Sequence, residues 1–153
     1  AERFNRLLGE AGATHLRLIQ VSELDPATML LLSQRLDEGE WLAIAGDRVP
    51  LHGGRTVRVD FLGHAAAFPQ GPWLLAGLLN CPVNLLMCLK HNGRYRLTIE
   101  PFAPSIEWKR STREQVIAQW TSRYAARLAD FCLEAPQQWF NFYPFWKTDD
   151  DAS

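Results

Sequence analysis

The sequence predicts an α/β protein: a layered mixed sheet, parallel in its first half and closed by a C-terminal hairpin, with helices on its flanks. Three observations carry this. A strand–helix–strand order occupies residues 15–46, Asn92–Gly93 separates two β-rich runs, and residues 112–136 repeat apolar side chains at helical spacing. One domain is expected across residues 1–153, a length that can bury a core of its own.

Taken in order, "HLRLIQV" (15–21) reads as a short strand. "DPATMLLLSQRLDEG" then reads as a helix, with Asp25 as N-cap, Pro26 at the first position, Leu30, Leu31 and Leu32 leading into the core, and Gly39 just past the end. "WLAIAG" (41–46) is wholly apolar and ends in glycine, the pattern of a strand buried on both faces. The three together predict a right-handed parallel crossover. A turn-rich loop, "DRVPLHGGR", follows. "RTVRVDFLG" alternates, with Val57, Val59 and Phe61 on one face and Thr56, Arg58 and Asp60 on the other. "FPQGPWLLAGLLN" reads as a turn entering a helix at Pro72. "CPVNLLMCLK" and "YRLTIEPF" form a hairpin across "HNGR". The last helix carries Val116, Trp120, Tyr124, Leu128 and Phe131 or Cys132 as its apolar stripe, and Pro136 ends it. The chain closes on "QQWFNFYPFW", six of whose residues are aromatic with no helical or strand period, so that run is expected to be buried, to line a cavity or to meet a lipid interface.

Composition removes several classes. A net charge of −1 with 47% apolar residues argues against disorder and against a strongly basic nucleic-acid binder. No stretch approaches about 20 uninterrupted apolar residues, so no membrane-spanning segment is expected. Cys81, Cys88 and Cys132 sit in apolar surroundings without a CxxC pair, and read as buried, reduced thiols. The chain starts directly in an amphipathic helical pattern, "ERFNRLLGEAGA", which reads as a fragment cut just before a helix.

The familiar enzyme motifs are missing. Neither His15, His52, His64 nor His91 is followed five positions later by Asp or Glu. There is no HExxH, no metal-type Cys/His cluster, no G-x-S-x-G, no Walker loop and no dinucleotide fingerprint, so no metal, cofactor or catalytic residue is predicted. A doubly wound nucleotide-binding domain is disfavoured because the first βα turn is not glycine-rich.

Three loops at strand ends, where open sheets place ligands, remain as candidates. In "AGDRVP", Arg48 beside Asp47 offers a planar fork for a phosphate or carboxylate; the same pair also reads as a turn with a surface ion pair. In "FLGHAAAFPQGPWLLA", Gly63 and Gly71 permit close backbone approach and the helix after Pro72 presents free N–H groups, although both glycines also suit plain turns. In "NCPVNLL", Pro82 opens a strand.

In this order, "GEWLAIAGDRVP", "VDFLGHAAAFPQGPWLLA", "NCPVNLLMCLKHNGRYRLTIEPF" and "LEAPQQWFNFYPFW" resemble the bacterial lipid A biosynthesis acyltransferases of the lauroyl- and myristoyl-transferase type, within the glycerolipid acyltransferase superfamily. The resemblance runs from about residue 35 to residue 147. It implies an α/β domain with an acyl channel. The reaction it implies moves an acyl group from acyl carrier protein or coenzyme A to a hydroxyl of a lipid or glycolipid, with peripheral contact at the cytoplasmic face of the inner membrane. Asp47 and Arg48 match the acceptor-binding block. Phe61, Gly63, Pro69, Gln70 and Gly71 match the next block, and Pro82 matches the strand after it. The resemblance thus makes the Gly63–Gly71 loop part of the site near the thioester.

Two departures are visible. The family's His-x-x-x-x-Asp/Glu motif, whose histidine deprotonates the acceptor, lies upstream of these blocks and is not in this chain, so the acyltransferase reading needs a missing N-terminal half; the alternative is a non-catalytic acyl- or lipid-binding module. "NFYPFW" also carries no positive charge before Lys147, which leaves other lipid-linked or polyketide-like hydroxyl acceptors open. The resemblance puts Trp139 to Trp146 near the acyl channel or at the membrane face, with plain closure of the core as the other reading. Arg55, Arg58, Lys90, Arg94, Arg96, Lys109, Arg110 and Arg113 offer a basic surface to an acidic carrier protein or anionic lipid, or are scattered solvated charges.

Overall fold

The computed structural model describes residues 6, 10, 25–49 and 54–146. The chain divides into two compact units, residues 1–42 and 43–153. The expected strand 15–21, His15 and His52 lie outside the described residues.

In the first unit, helix α1 (Pro26–Asp37) starts as expected. The Asp25 carboxylate accepts the Thr28 N–H at 2.7 Å, which satisfies a helix donor and holds the acid below its ordinary pKa. Gly39 turns the chain at φ +87°, where only glycine is unstrained. Of the three leucines expected to enter the core, Leu32 is buried while Leu30 and Leu31 are exposed. Successive helical residues point about 100° apart, so three adjacent leucines cannot share one stripe.

The predicted strand at 41–46 is corrected. Residues 41–45 form no strand, Trp41 is 76% exposed and Ile44 is exposed as well. An apolar run signals burial but does not supply the hydrogen-bonding neighbour that makes a strand. The parallel half of the sheet is corrected with it: among the described residues every strand pairing is antiparallel, in two separate two-stranded sheets. The α/β class stands.

In the second unit, β1 (Thr56–Phe61) and β2 (His64–Pro69) form a tight hairpin, with Phe61 opposite His64. The connection is Leu62–Gly63, both at positive φ, as a two-residue turn of the primed type requires. Helix α2 (Gly71–Leu79) follows, with Pro72 in its first turn and Asn80 in the left-handed region ending it. Strands β3 (Val83–His91) and β4 (Arg94–Ala103) pair across Asn92–Gly93, as the sequence predicts. The long helix α3 (Arg113–Glu134) packs across β1, and a 3-10 turn at Pro136–Gln138 ends the regular structure. Gln138 continues the edge of β3 with its side chain, accepting the Lys90 N–H at 2.6 Å and donating to the Lys90 carbonyl at 2.8 Å.

The stripe of α3 matches the expectation from Tyr124 onward and is displaced by one residue only in its first half, where Ile117 and Thr121 take the places expected of Val116 and Trp120. Ile117, Thr121, Tyr124, Ala125, Leu128, Phe131 and Cys132 are buried, while Val116 and Trp120 sit at the margin. Thr121 is tolerated in the core because its hydroxyl donates to the Ile117 carbonyl at 2.7 Å. The core of this unit gathers Val59, Phe61, Phe68, Trp73, Leu85 and Ile106 around that helix face.

Candidate functional site: the 46–48 turn and the aromatic tail

Residues 46–48 and residues 139–146 are remote in sequence and bonded in space. Gly46 lies against the Tyr124 ring so closely that a Cβ there would meet ring carbon at 2.7 Å. That contact seats the turn on α3 and presents Asp47 and Arg48 to the tail. The Trp139 indole N–H donates to Asp47 Oδ2 at 3.0 Å, and the Tyr143 hydroxyl donates to the Asp47 carbonyl at 3.1 Å. Arg48 donates to the Phe140 carbonyl at 2.8 Å, keeps its Nε 3.8 Å from Asp47 Oδ1 and lies 5.7 Å from the centre of the Tyr143 ring.

Beneath this layer is an aromatic stack. Phe61 lies 5.2 Å from Trp139, 5.5 Å from Phe145 and 5.9 Å from Trp146, and Phe145 also meets Phe68 at 5.3 Å. Most of these pairs are edge-on or tilted, the favourable arrangements of ring quadrupoles. Trp146 adds a hydrogen bond from its indole to the Phe61 carbonyl at 3.1 Å. The tail therefore closes the core through Trp139 and Phe145, while Phe140 and Phe142 stay outside it.

Electrostatically, the phenols and the thiol at the site are held in their protonated forms. Burial holds the Tyr124 phenol well above its ordinary range, and the Asp47 charge adds to this. Burial also raises Tyr143, with Asp47 acting in the same direction and Arg48 against it. The Cys132 thiol is pushed up to about 11 by burial and then by Asp47. The two phenols and the thiol are therefore not set to act as nucleophiles or bases near neutral pH. Arg48 is different: its side chain is partly exposed and a guanidinium has five N–H donors, more than the tail uses.

The predicted site residues are only partly brought together. Asp47, Arg48 and Phe61 meet through Trp139 and Tyr143. The predicted Gly63–Gly71 loop is instead mostly strand β2. Gly63 is at the hairpin tip and Gly71 opens α2 beyond the hairpin base, about 20 Å apart along an extended strand. Nothing lies within 4 Å of a Cβ built at either glycine. Gln70 is occupied structurally, its side chain donating to the Thr56 carbonyl at 3.0 Å and its N–H to Arg55 at 2.9 Å.

Pro82 lies at the start of β3, in a cavity of about 320 Å³ shared with Val83, Pro101, Phe102 and Pro104. A second cavity, of about 90 Å³, lies between β3 and α3 against Leu89, Leu128, Cys132 and Trp139. It has room for about three waters, too little for an acyl chain, whereas the larger one reaches the lower end of ligand-sized pockets. Neither borders Gly63 or Gly71.

Other expectations resolve plainly. His64 and His91 are exposed at strand ends. Cys132 is buried, but Cys88 is exposed and Cys81 intermediate, so burial holds for one thiol of the three; all three are free. Arg96 pairs with Glu134, which removes it from the expected basic surface. Among the described residues no three His, Cys, Asp or Glu gather to hold a metal, and no helix is long and apolar enough to cross a membrane. Sequence reading missed Trp139 and Tyr143 as partners of Asp47. Their presence in the aromatic run was visible, but their bonds span 92 and 96 residues.

The family model described as bacterial lipid A biosynthesis acyltransferase matches residues 14–148. No curated protein matches the chain.

Proposed function

Because the chain belongs to the bacterial lipid A biosynthesis acyltransferase family, we propose that it serves the transfer of a fatty acyl group from a carrier thioester, on acyl carrier protein or coenzyme A, to a hydroxyl of a lipid or glycolipid acceptor. The match across residues 14–148 is the observation that carries this reading. In that reaction the acceptor oxygen attacks the thioester carbonyl, its proton passes to a base and the carrier thiol leaves. The base on this reading is the histidine of the family's His-x-x-x-x-Asp/Glu motif, outside residues 1–153. The chain itself supplies recognition. Arg48, fixed on one side by Phe140 and Asp47, turns its remaining donors to a phosphate of acceptor or donor. The work is done peripherally, at the cytoplasmic face of the inner membrane.

A thioester-transfer assay tests this, run on a protein that includes the upstream motif, with Arg48→Ala and Arg48→Lys compared. Arg48→Ala is expected to lower kcat/KM at least tenfold, a loss of about 1.4 kcal/mol of transition-state stabilisation. Arg48→Lys, which keeps the charge but not the fork, is expected to fall between. Full activity in Arg48→Ala would remove the residue from recognition. The absence of a histidine–carboxylate motif within the chain favours a second reading, a non-catalytic module that binds acyl or lipid chains. Acyl transfer that depends on a histidine upstream of Ala1 would exclude it.

A further inference from the structure

Phe140 and Phe142 are 64% and 89% exposed, although Trp139 before them packs against the core and Phe145, three residues after Phe142, is buried in it. A flexible aromatic loop would fold such rings inward. This one is held open. The Arg48 guanidinium binds the Phe140 carbonyl, the Tyr143 hydroxyl binds the Asp47 carbonyl, the Trp139 indole binds the Asp47 carboxylate, and the Asn141 N–H closes a turn on the Trp139 carbonyl at 2.8 Å. The two phenyl rings stand side by side, 6.3 Å apart, on the outer side of that framework.

The groups around the pair fit one kind of partner. Tyr143 and Trp146 are partly exposed, each with its polar atom already tied to backbone, so each offers an apolar ring face beside the phenyls. Among the described residues Arg48 is a cation beside them, and the adjacent carboxylate, Asp47, is turned inward to Trp139 and Arg48. Residues 139–146 contain no charged side chain. Apolar tips, flanking Tyr and Trp, and a cation whose neighbouring carboxylate is turned inward match the groups that meet a bilayer surface: acyl boundary, glycerol region and phosphate.

We propose that Phe140 and Phe142 insert into the acyl boundary of a lipid bilayer, with Arg48 at the phosphate level, so that the 139–146 segment docks the protein on a membrane. The proposal rests on the acyltransferase reading only for its choice of a lipid surface over a protein one, and its test does not use activity.

The test is flotation of the chain with vesicles of phosphatidylcholine, with and without phosphatidylglycerol. The chain is expected to float with both, more completely with the anionic lipid. The double variant Phe140→Ser/Phe142→Ser, which leaves Trp139 and Phe145 in place, is expected to lose at least about tenfold in partitioning while keeping its near-ultraviolet circular dichroism. Phe140→Trp/Phe142→Trp is expected to restore it. Failure of the wild-type chain to float, or undiminished flotation of the serine variant, overturns the proposal. A wild-type dimer that the serine variant dissolves also overturns it, by showing a second copy on the rings. Flotation that depends on the two rings, together with no acyl transfer by a protein that includes the upstream motif, would uphold the docking and remove the acyltransferase reading instead.

Discussion

The Trp139 indole N–H donates to the Asp47 carboxylate at 3.0 Å, across 92 residues of sequence. The bond joins the 46–48 turn to the aromatic tail, and it is partly buried, so neither partner can simply return to water. Trp139→Phe keeps the ring against Phe61 and Phe145 but removes the donor. Asp47→Ala leaves the indole N–H without its acceptor. Each single change is expected to cost about 1–2 kcal/mol. The double variant should cost about 1 kcal/mol less than the sum. Urea denaturation of the four proteins measures this coupling, and strict additivity would show that the bond contributes nothing.

Glycine substitutions separate space from function. A Cβ on Gly77, inside α2, would lie 1.9 Å from the Trp108 ring and 2.8 Å from the Ile106 carbonyl oxygen. Alanine gains about 1 kcal/mol of helix preference there, but the clash includes fixed backbone, so Gly77→Ala is expected to destabilise by about 1–3 kcal/mol net. Gly71 has open space around the same position and starts the same helix. Gly71→Ala is expected to stabilise by about 0.4–1 kcal/mol through the unfolded chain. Thermal melts of the two variants should therefore shift in opposite directions. Lost acyl transfer in a stabilised Gly71→Ala protein would assign that glycine to a ligand's approach.

The sequence shows local structure where one residue type dictates the backbone. Asp25–Pro26 and Gly39 bracket α1, Asn92–Gly93 places the second hairpin, Pro72 marks the entry to α2, and the 3.6-residue period gives α3 to within a few residues. Strand β2 was not legible because His64–Ala67 has little β propensity and Leu62 is an unusual occupant of a positive-φ turn. Residues 41–46 misled for the opposite reason: apolar character without a pairing partner. In the candidate site, the Asp47–Arg48 pair was legible but its further partners were not, because the Phe140 carbonyl and the Tyr143 ring reach Arg48 only after the tail has folded back.

The thiols should separate by reactivity. Cys88 is exposed on β3, whereas Cys132 is buried and pushed up to about 11. At pH 8 a disulfide reagent is expected to modify Cys88 first and to reach Cys132 only at the rate of unfolding. The linked stability change has a definite sign. The folded thiol keeps its proton where the unfolded one, with a reference value of 9.0, loses it, so the contribution is intact below pH 9 and is lost as pH rises toward 11. Buried Tyr124, also raised, adds to the alkaline loss. Cys132→Ser keeps a similar side-chain size without a group that ionises there, and should flatten the thiol's part of the pH dependence of the urea midpoint.

On the acid side the sensitive joint is Glu100 with Arg127. The guanidinium donates to both carboxylate oxygens, at 2.6 and 2.9 Å, and so ties β4 to α3 through a two-pronged contact. The Arg127 hydrogen bonds hold Glu100 below its ordinary value of 4.5, against a smaller opposing effect of burial. The folded state therefore binds fewer protons than the unfolded state in the window below 4.5. The stabilisation is fully present above that value and disappears as pH falls through the lowered folded one. Both side chains are partly exposed, so solvent screening limits the pair to about 1 kcal/mol. Replacing Glu100 with Gln removes the titration but keeps an acceptor for one prong. Glu100→Gln is thus expected to be less stable than the wild-type protein at pH 7 and to lose less stability between pH 5 and pH 3. Denaturation midpoints across that range would show the two curves converging, and parallel curves would mean that the Glu100–Arg127 contact does not drive the acid response.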